Sequence, residues 1–394
     1  MTHARPHLLL AVAGLLALAA CSSADGADDP AEDAGAAPDA EAAEAGSALD
    51  LAEVCPATVV VQWDWQPQSE HGGTYALVGS DAEIDTDTKS VRGSLVAQGV
   101  DTGVDIEVRT GGANVGFQPV PALMYLDDEI TLGAVSTDVA ISSHEAQPTV
   151  AVVSQMTNSP QILMWDPETY PGATTIDEVV SQGATVVTSG DVLPALLART
   201  TSFDMAASDT SYEGTPSRFV SDPSIVQQGF VTAEPYIYEN EVDAWGRPVA
   251  FELMSEVGFS IYPQSLAVRA DRVDELAGCL ERLVPIFQQS QIDFLADPGP
   301  TNDLLVEVVE QYNVGWTYSA GVADFSAAAL VEEEIVTDDP ATGVFGQFDD
   351  ARMQEIADTF LPLLRDQGTV TLAELDPAEL YTNEFIDPSI SMGE

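Results

Sequence analysis

Residues 58–63 read TVVVQW, a continuous β-branched run with no polar alternation. A strand of that kind offers no face to water, so it needs parallel neighbours and helices covering both sides. The chain supplies both. Strand patterns recur at 104–109, 130–135, 149–155, 161–165, 184–188, 228–231, 250–253 and 266–268. Helical patterns fall at 70–78, 119–126, 175–180 and 192–198, and from 271 onward they dominate, at 271–295, 301–312, 322–334 and 350–365. Strand and helix in alternation specify an α/β class. A chain of 394 residues is too long for one small core and fits two lobes.

Charge limits the partners. Sixty-five Asp and Glu face 12 Lys and Arg, a net charge of −53, and Lys89 is the single lysine. Such a chain repels phosphates and anionic headgroups, which excludes nucleic acid as a partner. The acidity reads as a solvated surface suited to salty surroundings, where screening softens self-repulsion. The acids Asp81, Glu83, Asp85 and Asp87 alternate, but Thr86 and Arg92 stand where a calcium loop needs glycine and a bidentate glutamate. A solvated acidic loop is expected at 81–90.

Residues 8–20 form an apolar run too short to span a bilayer, which takes roughly 20 residues. The run ends Leu18-Ala19-Ala20-Cys21, which resembles a bacterial lipoprotein signal with Cys21 as the lipidated residue. Residues 1–20 are therefore expected to be a signal peptide, and 21–54, rich in Ala, Asp, Glu and Gly, a disordered acidic tether. The mature protein would be exported and lipid-anchored to the outer face of the cytoplasmic membrane. Cys55 and Cys279 remain, an even pair that reads as a disulfide in an exported protein.

Several chemistries have no residues to carry them. After Cys21 the chain has two histidines, His71 and His144, and no Cys-x-x-Cys or His-x-x-x-His pair. It has no nucleophile elbow and no phosphate loop. The run GGANVG at 111–116 misses the dinucleotide spacing and reads as a tight turn. No metal, cofactor or catalytic set is expected, so an enzyme is not.

One stretch stands out. Residues 63–75, WDWQPQSEHGGTY, follow the first buried strand directly. In open α/β sheets ligands bind at the carboxyl ends of strands. Trp63 continues the strand and fits a core position as well as a ligand wall. Trp65 lies past the strand end, where an aromatic face suits a flat ligand. Glu70 and His71 fit either a helix's first turn or a ligand contact.

The order W-x-P-x-x-E-H-x-G-x-Y here resembles the solute-binding proteins for thiamine-pyrimidine precursors, alkanesulfonates, taurine and nitrate. Residues 133–141 (GAVSTDVAI), 188–190 (TSG) and 228–236 (QGFVTAEPY) are similar to further elements of that family. The similarity covers roughly 56–300, while the acidic insertion and the helical end depart from it.

The resemblance implies a two-lobed periplasmic-binding-protein fold, type II-like, with a C-terminal helical extension. Lobe one would comprise 55–153 and 255–394, lobe two 154–254, with crossovers near 153 and 254 as a hinge. Trp65, Glu70, His71 and Tyr75 would form one wall, with Thr137 and Asp138 on the same lobe. Ser189, Gly190 and Asp191 would offer hydroxyl and N–H groups opposite, Glu234 and Tyr236 would close the far side, and Tyr212 would add to it. The implied partners are a permease and an ATPase of an ABC importer, with the binding protein a monomer.

No candidate loop carries an arginine, and Arg109 and Arg199 sit at element ends. Aromatics beside acids favour a neutral or cationic planar heterocycle, pyrimidine-like or a vitamin precursor. The alternatives are a sulfonate, taurine or nitrate binder, a pyrimidine-synthesising enzyme of the same fold, and a structural lipoprotein. The charge reading carries its own test: the melting temperature should rise from low to molar salt, and a flat profile would overturn it.

Overall fold

The computed structural model describes residues 40–212 and 214–393. The expected signal peptide, Cys21 and the tether up to residue 39 lie outside the described residues.

The first half of the chain builds most of a large sheet. Its elements are β1 (Glu41–Ala42), β2 (Thr58–Gln62), α1 (Gly72–Tyr75), β3 (Glu83–Asp85), β4 (Ser90–Ala97), β5 (Val100–Arg109), α2 (Val120–Leu126), β6 (Ile130–Val135), α3 (Thr137–Ser143) and β7 (Thr149–Val153). The chain then crosses into a smaller sheet through β8 (Gln161–Trp165), α4 (Ile176–Val180), β9 (Val186–Val187), α5 (Val192–Thr200), β10 (Ser208–Asp209), α6 (Ser217–Ser221), β11 (Val226–Phe230), α7 (Glu234–Asn240) and β12 (Ala250–Leu253). It returns through β13 (Ser265–Arg269) and ends in α8 (Val273–Ala296), α9 (Gly299–Tyr312), α10 (Ala320–Glu332) and α11 (Asp350–Asp366).

The large sheet runs β3-β4-β5-β2-β6-β13-β7, with β1 added to β5, and the small one β10-β9-β11-β8-β12. Strand β2 lies parallel to both β5 and β6, so Val59, Val60 and Val61 are buried on both faces, as its unbroken apolar run requires. Strand β13 lies antiparallel to β6 and β7, which lets the returning chain complete the first sheet. Two lobes joined by two crossings result, the architecture expected of a mixed α/β binding fold.

Three stretches differ from the sequence reading. Residues 40–54 were expected to be unstructured. Instead, β1 pairs with the start of β5, the Leu51 N–H donates to the Thr102 carbonyl at 2.9 Å, and the Leu51 side chain is fully buried. A strand edge needs backbone groups more than apolar side chains, so an acidic segment with two leucines can dock on it. The acidic loop at 81–90 is a hairpin arm, with Glu83 and Asp85 exposed and Val91 and Leu95 buried. Asp85 Oδ1 accepts the N–H groups of Asp87 and Thr88, so the acids build the turn itself. Residues 137–143, outside the helical patterns of the sequence, form helix α3.

The C-terminal helices do not stay with the first lobe. Helix α8 covers the large sheet through Leu280, Leu283 and Phe287. Leu330 of α10 packs with Ile162 and Met164 of the small sheet. Helix α11 places Met353, Ile356 and Phe360 in one apolar cluster with Val60 and Ile130 of the first lobe and Leu163 and Trp165 of the second.

Among the described residues no helix is long and apolar enough to cross a membrane. Cys55 and Cys279 are joined as a disulfide, linking the entry of β2 to α8 across a sequence separation of 224. Replacing both with serine should cost about 2–5 kcal/mol, read as a lower denaturant midpoint. An unchanged midpoint would mean the junction is held by packing alone.

Candidate functional site

At the carboxyl end of β2 the backbone turns sharply. The Trp63 N–H donates to the Arg109 carbonyl at 2.9 Å, while the N–H groups of Gly111 and Gly112 donate to the carbonyls of Trp65 and Asp64 at 3.0 and 2.9 Å. A Cβ on Gly111 would sit 2.4 Å from the Asp64 carbonyl carbon, so this contact requires glycine. The turn directs Asp64 inward and leaves Trp65 partly exposed.

A 3-10 turn, Ser69–His71, follows and runs into α1. Helix α1 lies against α8 so closely that a Cβ on Gly72 would meet the Phe294 ring at 2.3 Å, and the Gly73 N–H donates to Gln291 Oε1 at 3.0 Å. That contact fixes Glu70 and His71. The His71 ring stacks on Trp63 at 3.9 Å with an 18° interplanar angle. Burial pushes the imidazole down to about 3, so it is neutral.

Glu70 reaches across to the other lobe. Its Oε1 accepts the Thr232 hydroxyl, which lies just past β11, and its Oε2 accepts the Ser326 hydroxyl of α10 at 3.4 Å. Burial raises the Glu70 carboxyl above the usual range, against the pull of those hydrogen bonds. Ser69 joins the same contact, its N–H donating to the Tyr318 hydroxyl at 2.9 Å.

Asp64 stands near Glu70, and Asp138 stands near Asp64. Asp64 accepts from the Gln264 amide at 2.5 Å, and it is lifted to about 6, by burial first and by the nearby Asp138 and Glu70 to a lesser degree. Asp138, in the first turn of α3, is raised to about 6 by burial, and its Oδ1 is buried with no hydrogen-bond partner. On the opposite lobe Glu234 opens α7. It accepts the Phe230 N–H at 2.7 Å and the Tyr212 hydroxyl at 3.3 Å, and burial lifts it to about 7, with Glu70 adding to the rise.

Trp65, the residue after Asp64, heads an aromatic trio. Trp65 meets Phe117 at 6.2 Å and the edge of Trp316 at 6.0 Å. Phe117 is 68 % exposed on a backbone with φ 58°, and Gln264 holds its amide on Asp64 with φ 47°. Both non-glycine residues occupy the left-handed region, a cost sustained where surrounding contacts over-determine the conformation.

Glu70, His71, Asp138, Glu234 and Tyr212 are thus brought together, with Trp65 at their edge. Other residues of the expected site are engaged elsewhere. Tyr75 is fully buried in the apolar core of the large sheet with Trp63 and Tyr312. The Thr137 hydroxyl accepts the Tyr262 N–H, and its own N–H donates back to the Tyr262 carbonyl. Tyr236 packs on Phe325 at 5.5 Å, in the contact between α7 and α10. Ser189 donates through N–H and hydroxyl to Gln228, while Gly190 and Asp191 are exposed at the start of α5. Asp64, Gln264, Phe117 and Trp316 complete the site and were not picked out from sequence. Asp64 sits between two tryptophans that were, but one acid among 65 carries no signal.

A cavity of about 280 Å³ lies away from this cleft, at the amino ends of β2 and β6, beside Arg92, Glu107 and Arg272. Among the described residues no group of three or more His, Cys, Asp or Glu is arranged to hold a metal ion.

No family model matches the chain, and no curated protein matches it. Solved structures do. The periplasmic aliphatic sulphonate binding protein SsuA from Escherichia coli superposes with a TM-score of 0.51 at 10 % identity, over 82 % of this chain and 92 % of that one. The ligand binding component of an ABC-type import system from Staphylococcus aureus, solved with zinc bound, gives 0.50 at 11 % identity, over 85 % and 99 %. The likeness shows the periplasmic-binding-protein fold.

Asp64, Asp138 and Glu234 carry a pH signature. Their folded values lie above the ordinary carboxylate range, so the folded state keeps protons that the unfolded chain has released. The stability they contribute is full below about pH 4 and is lost as the pH rises through 6 and 7. Asp64→Asn should therefore raise the melting temperature by a few degrees at pH 8 and by less at pH 5. Equal shifts at both pH values would show that Asp64 is ionised throughout.

Proposed function

We propose that this protein is the solute-binding component of an ABC importer and receives a small planar solute, aromatic or heterocyclic, between its two lobes. The observation that carries this reading is the apposition across the cleft of loop 64–71 with Thr232 and Glu234, made through Glu70. Polar groups of both lobes meet there at strand ends, where open α/β folds place ligands, and Trp65 offers a stacking face beside them. Closure of the lobes on a solute needs a preference of a few kcal/mol for the closed state.

In this reading the chain is exported, anchored through a lipid on Cys21, and works as a monomer that delivers its loaded form to a permease and its ATPase. Catalysis has no support in the site: His71 is buried and stacked, and both remaining cysteines are tied up in the disulfide. Among the described residues placed at the site there is no arginine or lysine for an anionic solute to meet.

A thermal-shift screen of the purified protein at high salt tests the reading. The panel spans pyrimidine precursors, thiamine, riboflavin, sulfonates, taurine and nitrate. A true ligand at about 100 times its Kd stabilises by about 2.7 kcal/mol, and Trp65→Ala should weaken it about tenfold. A tight sulfonate complex indifferent to Trp65→Ala would overturn the planar-solute reading.

A further inference from the structure

The four cleft carboxylates are placed unlike the acids of the surface. Surface acids stand in water or beside arginines, as Asp105 does with Arg92 and Asp366 with Arg199. Asp64, Glu70, Asp138 and Glu234 are all raised by burial, and no ion pair of the described residues reaches any of them. A salt-adapted composition explains acids in water. It does not explain one buried and three half-buried acids with no base among the described residues paired to them, an arrangement that is costly unless a partner arrives.

Two unpartnered buried atoms, on Asp138 and on His71, point to that partner. Asp138 Oδ1 has no hydrogen bond, and neither has Nδ1 of His71, a residue with no exposed surface. The other ring nitrogen of His71 lies 3.4 Å from the Gln264 amide that holds Asp64, so the imidazole belongs to the same cluster. Being neutral, it supplies no compensating charge. Trp65 follows Asp64 directly in the chain and heads an aromatic trio with Phe117 and Trp316, and an aromatic face attracts a cation.

We infer that the solute taken by this cleft is an organic cation, its charge seated among Asp64, Glu70, Asp138 and Glu234 and its flat body against Trp65. The inference rests on the solute-binding reading above and names the class of solute. A neutral ring of the same shape would leave the carboxyls unpaired, and an anion would meet four acids and no base. With no metal-holding set among the described residues, the charge belongs to an organic group.

Isothermal titration at high salt with matched probes tests this. The cation 1-methylnicotinamide, neutral nicotinamide and anionic nicotinate share one ring, and choline is paired with its uncharged analogue 3,3-dimethylbutanol. At least one cation should bind at one site per chain, about tenfold or more tighter than its neutral partner, with nicotinate silent. Asp64→Asn and Asp138→Asn, each isosteric, should each weaken the cation about tenfold while leaving the melting temperature at pH 5 near that of the parent.

Neutral or anionic probes binding as tightly as the cations would overturn the charge assignment and leave the solute-binding reading standing. So would a neutral or anionic solute from the wider panel that binds where no cation does. Cation uptake unchanged in both variants would assign it to the acidic surface and also overturn the inference. Silence of every probe and of the whole panel would remove both readings together.

Discussion

The site depends on how closely α1 can lie on α8. Gly72 and Gly73 remove the side chains that would hold the two helices apart, and Phe294 and Gln291 fill the space. Any Cβ at Gly72 would push α1 outward and carry Ser69, Glu70 and His71 with it. The stack of His71 on Trp63 and the reach of Glu70 to Thr232 both follow from this one contact. Trp63 in turn is fixed by β2, whose apolar run admits one depth in the sheet. Strand, turn and helix therefore form one rigid lever that ends in a carboxylate.

Electrostatics divides the chain into two populations of acid. The many acids in water are cheap, and several cap turns or pair with arginine. The few in the cleft are expensive, because burial raises each above the ordinary carboxylate range while no base among the described residues is paired with it. Composition registers both populations as one number. The structure separates them by solvent.

Much of the fold was legible because strand and helix periods are local. TVVVQW specified a doubly covered strand, and the helical runs after 271 kept their periods over many residues. Less was legible where partners are distant. The order in 40–54 depends on the free edge of β5, and hairpin β3–β4 depends on pairing that its acidic composition conceals. In the site, Trp65, Glu70 and His71 stood out as unusual residues in one loop. Asp64 was lost among its fellow acids, and Gln264 lies 193 residues beyond His71 with an ordinary side chain. Tyr75 carries the opposite ambiguity: a tyrosine near a binding loop is also a good core residue, and it lies buried in the core of the large sheet with Tyr312.

The bond between Cys55 and Cys279 determines how the fold bears a mechanical load. Tension applied to the chain ahead of residue 55 would first peel β1, which holds β5 through two residue pairs, and then lift Leu51 from its seat. There the unravelling stops. Beyond Cys55 a covalent link opens a second path for the force into the 24-residue helix α8, so β2 no longer bears it alone. The loop at the end of β2, with its lever of carboxylate and stacked rings, thereby feels only part of a pull on the amino-terminal end.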